Sequence, residues 1–286
     1  MTKKLNFLIH HMPRAGSTWL SKLLTENSRA CVLPETNFLS YLLEKKKLLN
    51  YDKLLEYDKK FLDLKIDQIT TSNILKNKDR FKIMDLILSE SAKKIYKKKN
   101  LKIGVKKTHL KFTSDLINLK KIKTIFLVRD IRDIYLSILQ ANKKRNKFQT
   151  SIFKNIYSWN MQCIFFESMN NKRLLKIRYE DLIKDKEIEL NKILNFLKID
   201  YIKKNKSYFL PDKYESIHKN IKLKNMSSNS QKYLNRLGCF ENLIFIVFCY
   251  HYLVKFKYIN KKFLQIVISF PIHLIFKCLF FFKLFK

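Results

Sequence analysis

An arginine, a glycine and two hydroxyls fall close together near the start of the chain, in the run Pro13-Arg14-Ala15-Gly16-Ser17-Thr18. They follow the apolar stretch Leu5–Ile9 and lead into Trp19 and Leu20, so a short strand should pass through a tight loop into a helix. Gly16 can take a positive φ and lets a ligand approach the backbone. Ser17 and Thr18 open the helix, where N–H groups are unpaired and the helix dipole is positive, a geometry that binds anions. Arg14 adds a fixed cationic fork, and Pro13 stiffens the entry. The plainer alternative is that Ser17 caps the helix and no ligand binds. The triphosphate-binding pattern GxxxxGK(S/T) is not met. One glycine is present, no lysine follows it, and the cation precedes it. The expected ligand is phosphate-like without being a standard triphosphate.

A second group lies in residues 123–139, where the apolar run Ile125–Val128 ends in Arg129-Asp130 and a helix follows. Arg129 projects from the carboxyl end of a strand, and Ser137 stands about two helical turns further on. Together they can close on a second anion. The alternative reading pairs Arg129 with Asp133 and leaves Ser137 as an ordinary helical residue. Asp130 or Asp133 can cap the helix. An aspartate after an apolar strand also resembles a magnesium ligand of nucleotide-hydrolysing folds, which the intervening arginine argues against. A third strand-to-helix junction, residues 173–185, places Tyr179 at a strand end and Asp181 as the expected helix cap; Glu180 and Asp181 can also be read as paired carboxylates.

These junctions need a scaffold. Short apolar runs predict strands at Leu5–His10, Ala30–Leu33, Leu101–Lys106, Lys123–Arg129 and Leu174–Arg178. Helical spacing predicts helices near 17–27, 36–48, 80–98, 110–119, 131–142, 148–170 and 181–197, with residues 240–258 as a last core helix. The alternation implies an α/β fold, a P-loop-like parallel β-sheet of about five strands flanked by helices on both faces. Ligands of such sheets bind beyond the carboxyl ends of the strands, where all three junctions fall. Residues 1–258 read as one domain and residues 259–286 as an apolar, basic C-terminal segment. Residues 200–236 read as a polar loop or linker.

Composition narrows the field. The chain has 286 residues, 47% hydrophobic and 14% aromatic, too apolar for disorder. Its formal charge of +35, from 59 Lys+Arg against 24 Asp+Glu, attracts phosphate, sulfate, anionic lipid or nucleic acid. Most lysines read as solvated surface. No zinc-finger, RNP-type or basic-heptad pattern occurs, so nucleic acid is not the expected partner. The five cysteines, Cys31, Cys163, Cys239, Cys249 and Cys278, form no CxxC pair and read as buried free thiols of a reducing compartment. The first apolar run is too short for a secretory signal, and no N-terminal anchor is expected.

Strand–PRxGSTWL–helix, then VRDxRDxxxS, then RYEDL resembles the sulfotransferase superfamily in order and spacing over roughly residues 5–200, with a bacterial and Golgi-like carbohydrate branch as the nearest pattern. The resemblance implies 3′-phosphoadenosine 5′-phosphosulfate (PAPS) as sulfuryl donor and no required metal. It places Arg14 at the cation that contacts the leaving phosphate, and Ala15, Gly16, Ser17 and Thr18 in the loop around the 5′-phosphosulfate. It gives Trp19 an adenine-stacking role, puts Arg129 and Ser137 on the 3′-phosphate, and sets Tyr179 near the base. Two residues compete as general base, Glu35 after the second strand and His109 in Lys107-Thr108-His109, with Lys107 assisting and Lys106 or Lys107 facing the sulfonate. Lys222 and Lys224 fall where the family brings a basic loop over the nucleotide, although the usual R-K-G pattern is missing. His10 and His11 read as strand-end packing, with a lining of the acceptor pocket as the other reading.

The expected activity is therefore O-sulfation of an acceptor hydroxyl, of a carbohydrate or glycolipid. The alternatives are a P-loop nucleotide or small-molecule kinase, which lacks its lysine here, and a basic membrane- or nucleic-acid-binding protein without catalysis. Residues 259–286 read as an in-plane anchor on an anionic membrane surface, with a true span or buried packing as the other readings. A cytoplasmic location, peripheral on the membrane's cytoplasmic face, follows from these expectations.

Overall fold

The computed structural model describes residues 5–33, 80–96, 101–144, 146, 150–169, 172–202, 232–260 and 270–279. The expected helix at 36–48, Glu35, Lys222 and Lys224 lie outside the described residues.

The elements run β1 (Leu5–His11), α1 (Ser17–Asn27), β2 (Ala30–Leu33), α2 (Arg80–Tyr96), β3 (Lys102–Lys107), α3 (Leu110–Lys120), β4 (Lys123–Val128), α4 (Ile131–Lys144), α5 (Ile152–Ser168), β5 (Leu174–Arg178), α6 (Tyr179–Lys184), α7 (Lys186–Leu197) and α8 (Cys239–Lys255). A short 3₁₀ turn at Lys232–Asn235 precedes α8, and residues 270–279 form one more helix. The five strands make one sheet in the order β2-β3-β1-β4-β5, with every pair parallel. Successive residues of a strand face opposite sides of a sheet. In β2 and β4 both sets are buried, so helices cover both faces. The fold is thus α/β with a parallel five-stranded sheet, as the alternating pattern implied.

Most element ends shift by a few residues, and three differences bear on the site. β4 stops at Val128, which leaves Arg129 just beyond the strand. The predicted 181–197 helix is two helices, broken at Asp185, where φ is −125° and ψ 57°. α6 begins at Tyr179, so Asp181 lies inside its first turn and does not cap it; its carboxylate instead pairs with Arg178 at 3.1 Å. The cysteines also differ. Cys31, Cys163 and Cys249 are buried, whereas Cys239 and Cys278 are exposed.

Sheet order does the positioning. β1 lies between β3 and β4, in register His10 with Lys107 and His11 with Leu127. The loop after β1, the end of β3 and the residue after β4 therefore meet on one edge. β5 pairs with β4 through Val128 and Arg178, which brings Tyr179 to the same edge. The edge rests on a core that includes Phe7, Phe126, Trp159 and Phe166. Buried Trp159 donates its indole N–H to the Arg129 carbonyl at 3.1 Å, which ties the end of β4 to α5.

Candidate active site

The loop between β1 and α1 turns twice through the left-handed region, at Arg14 (φ 68°) and Gly16 (φ 94°). At Gly16 the need for glycine is doubled, because an added Cβ would lie 2.3 Å from the Tyr179 ring. Gly16 is the N-cap of α1, and no side chain caps that end. Ser17 is therefore the first helical residue and not the capping group. Ser17 and Thr18 are buried residues at the positive end of α1.

Arg14 and Arg129 cross-link the two expected anion sites. The Arg14 Nε donates to Ser137 Oγ at 3.1 Å, and the Arg129 Nη1 donates to the Arg14 carbonyl at 3.0 Å. The other Arg129 nitrogen, Nη2, stands 3.7 Å from Asp133, so the pairing with Asp133 coexists with the loop contact. The Arg129 guanidinium lies over the Tyr179 ring, 4.4 Å from its centroid, and the Trp19 and Tyr179 rings pack edge to face with centroids 5.9 Å apart. Tyr179 is 2% exposed; its ring serves as the floor under Gly16, Trp19 and Arg129. Burial raises its phenol pKa, so it stays protonated. Trp19 is half-buried, and Ala15 is packed into the core below the loop.

From β3, Lys106 donates to Thr18 Oγ1 at 2.8 Å. Lys107 is buried one residue further on, opposite His10. Lys106, one of the two lysines the sequence left open, thus bonds to a hydroxyl in the first turn of α1. His109 is exposed and begins α3 through its backbone; its carbonyl accepts from the Thr113 N–H at 3.1 Å. His10 is fully buried between Thr113 (2.7 Å) and Gln162 (3.0 Å). Burial chiefly, with His11 adding repulsion, holds its pKa down to about 3, so it is a neutral packing residue.

The sequence reading passed over a polar cluster behind the site. Asp130 caps α4 by accepting the Arg132 N–H at 2.9 Å, and it receives the Arg132 guanidinium at 2.7 and 3.0 Å. Arg132 also stacks on Tyr233 at 3.8 Å and donates to Asn242 at 3.3 Å. Asp133 accepts the Tyr233 N–H at 3.2 Å. Glu180, its carboxyl pKa raised by burial, accepts from the Asp130 N–H (3.2 Å) and the Tyr258 hydroxyl (2.9 Å). Glu180 and Asp181 are therefore not paired carboxylates for acid–base work. The signal for this cluster was the repeated Arg-Asp within one turn, 129–130 and 132–133, more charge than one ligand contact needs.

Two solved structures share this architecture. A sulfotransferase domain from the Synechococcus PCC 7002 olefin synthase superposes with a TM-score of 0.60 at 16% identity, covering 91% of this chain and 97% of that one. A sulfotransferase domain from the curacin biosynthetic pathway gives 0.54 at 19% identity, covering 85% and 96%. At these identities the likeness is one of fold. No curated protein matches the chain by sequence alone. The sulfotransferase domain family, however, matches residues 5–238, which takes in the loop after β1, the Arg129–Ser137 junction and Tyr179 together, and the chain belongs to that family.

Proposed function

We propose that the chain moves the sulfuryl group of PAPS to a hydroxyl of a carbohydrate or glycolipid. The observation that carries this reading is the link from Arg14 to Ser137 and from Arg129 back to the Arg14 carbonyl. It brings the loop after β1 and the junction after β4, each with its own arginine, into contact at adjacent strand ends, which supports one ligand with two anionic groups lying across both. The donor's 3′-phosphate falls to Arg129 and Ser137. The 5′-phosphosulfate falls to residues 14–18, with Trp19 beside the base.

Transfer forms a bond from the acceptor oxygen to sulfur and breaks the bond from sulfur to the 5′-phosphate oxygen. The hydroxyl proton passes to a base. The products are a sulfate ester and adenosine 3′,5′-bisphosphate. In a loose, in-line transition state negative charge gathers on the leaving phosphate, where Arg14, Lys106 and the amino end of α1 offset it. Glu35 is our first candidate for the base and His109 the second, with Lys107 assisting. A cytoplasmic location suits five unpaired cysteines.

Thermal shift tests the donor: adenosine 3′,5′-bisphosphate should raise the melting temperature, and ATP with magnesium should do so far less. An equal response to both defeats the reading. With a labelled donor and a glycan panel, Glu35→Gln should abolish turnover while bisphosphate binding persists. The opposite result, with His109→Ala inactive and Glu35→Gln active, moves the base to His109.

A further inference from the structure

The helix at 270–279 is docked with its polarity reversed. Soluble surface helices bury an apolar stripe and show charge to water. Here His273 is buried and Lys277 half-buried against the body, while Phe270, Leu274, Ile275 and Leu279 are 63%, 52%, 58% and 46% exposed. Pro271 and Cys278 lie on the same outer arc.

The cause is a polar cluster at the ends of α5 and α8. The His273 ring stacks on His251, with centroids 3.8 Å apart and planes at 14°. His251 lies 3.8 Å from a Glu167 oxygen, and Lys277 lies 4.0 Å from the other. Glu167 also accepts from the Tyr252 hydroxyl at 2.7 Å and from Lys255. Burial opposes its charge, but these donors hold its pKa down to about 2. Glu167, His251 and His273 could by composition hold a metal ion. Two lysines already meet that carboxylate, and parallel rings cannot both aim a nitrogen lone pair at one ion, so the cluster serves as a clasp. Phe276 completes it against Tyr157, with centroids 6.2 Å apart.

α8 carries exposed apolar residues of its own. Phe240, Leu243, Val247 and His251 recur at helical spacing on one side of that helix, and His251 is the residue that stacks on His273. Phe240 is 75% exposed and Leu243 54%. Two helices joined at a pair of imidazoles thus show six large apolar side chains to the outside, four of them on the single short arc of 270–279.

Charge chooses the occupant. A second copy would bring another +35 against the first, whereas an anionic lipid surface attracts that charge. The sequence beyond this helix, Phe280-Phe281-Phe282-Lys283-Leu284-Phe285-Lys286, interleaves aromatics with lysines, the composition of an interfacial segment. Among the described residues no helix is long and apolar enough to cross a membrane. We propose that the outer face of residues 270–279, together with Phe240 and Leu243, docks in the plane of an anionic bilayer, with the Glu167–His251–His273 clasp holding the helix apolar side outward.

The test uses the full chain with a polarity-sensitive fluorophore on Cys278 in a Cys239→Ser background, the remaining cysteines being buried. Vesicles of phosphatidylcholine with phosphatidylglycerol should blue-shift the emission strongly, and phosphatidylcholine alone should do so weakly. In flotation of the unlabelled chain, Leu274→Glu with Ile275→Glu should cut vesicle partition about tenfold or more. Melting temperature and bisphosphate binding should not change, since both positions are exposed and remote in sequence from the donor site. Equal partition of wild type and variant overturns the proposal. So does a dimer, seen by sedimentation without lipid, that the same substitutions dissociate. Bisphosphate binding reads the donor site separately, so failure on vesicles leaves the transfer reading standing.

Discussion

Arg129 does three jobs with one side chain. It holds the Arg14 carbonyl, approaches Asp133 at 3.7 Å and covers Tyr179. On the proposed reading a bound 3′-phosphate would replace the long approach to Asp133 with short charge-assisted hydrogen bonds, and the contribution of Arg129 would be specific to that phosphate. Arg129→Ala should weaken adenosine 3′,5′-bisphosphate by about tenfold to a hundredfold. It should weaken adenosine 5′-phosphate only slightly, as measured by calorimetry. Equal losses for the two nucleotides would mean that Arg129 merely shapes the loop. Tyr179 illustrates a second residue-scale point. The sequence resemblance implied a position near the base; in the fold its ring is the surface on which Gly16, Trp19 and Arg129 rest.

At the scale of elements, the amino end of α4 is a joint. Asp130 and Arg132 form a buried pair that also reaches Tyr233, Asn242 on α8 and the Tyr258 carbonyl. Tyr233 and the residues that follow it are thereby fastened to the amino end of α4, next to Arg129. Arg132→Leu leaves the Asp130 carboxylate buried without its partner and should cost about 3–5 kcal/mol in urea unfolding. Adding Asp130→Asn, which keeps the cap and removes the charge, should recover part of that loss. The 270–279 helix is held in a different way. Burial first, then His251 and Lys277, lowers the His273 pKa from 6.5 to about 4, and burial lowers that of His251 as well. Glu167 pulls the other way, while Lys255 adds to the repulsion. Both rings are neutral in the docked state. Docking should be complete above pH 6.5 and be lost progressively as pH falls towards 4, because the undocked imidazoles take up protons first. Amide exchange over 270–279, corrected for intrinsic rates, should show this loosening; unchanged protection across that range would contradict it.

For the whole molecule the dominant quantity is charge. At +35 the chain draws an anionic nucleotide from a distance, and salt weakens that pull. Stopped-flow association of adenosine 3′,5′-bisphosphate should slow markedly as ionic strength rises, with dissociation changing much less. A salt-independent association rate would confine the electrostatics to Arg14, Arg129 and the lysines of β3. The same field bears on the outward apolar face of α8 and residues 270–279, since it opposes a second copy and favours a negative lipid surface.

Periodicity and motif spacing, available before any coordinates, determined the α/β class, all five strands to within a residue or two, and the main strand-to-helix junctions of the site. Those features are local: a buried strand is a short apolar run, and an anion loop needs glycine and hydroxyls at a helix start. The sequence also carried the family pattern through Arg14, Arg129 and Tyr179. Tertiary structure alone decided that β1 lies between β3 and β4, which makes Arg14 and Ser137 neighbours across 123 residues. It also decided that Lys106 bonds to the Thr18 hydroxyl, that Asp130 and Arg132 pair behind the site, and that the C-terminal helix turns His273 and Lys277 inward. Local pattern does not encode these, because each depends on which distant element supplies the opposing charge or ring. The apolar outer face of 270–279 follows from one such choice, a clasp at Glu167 that meets the helix on its polar side.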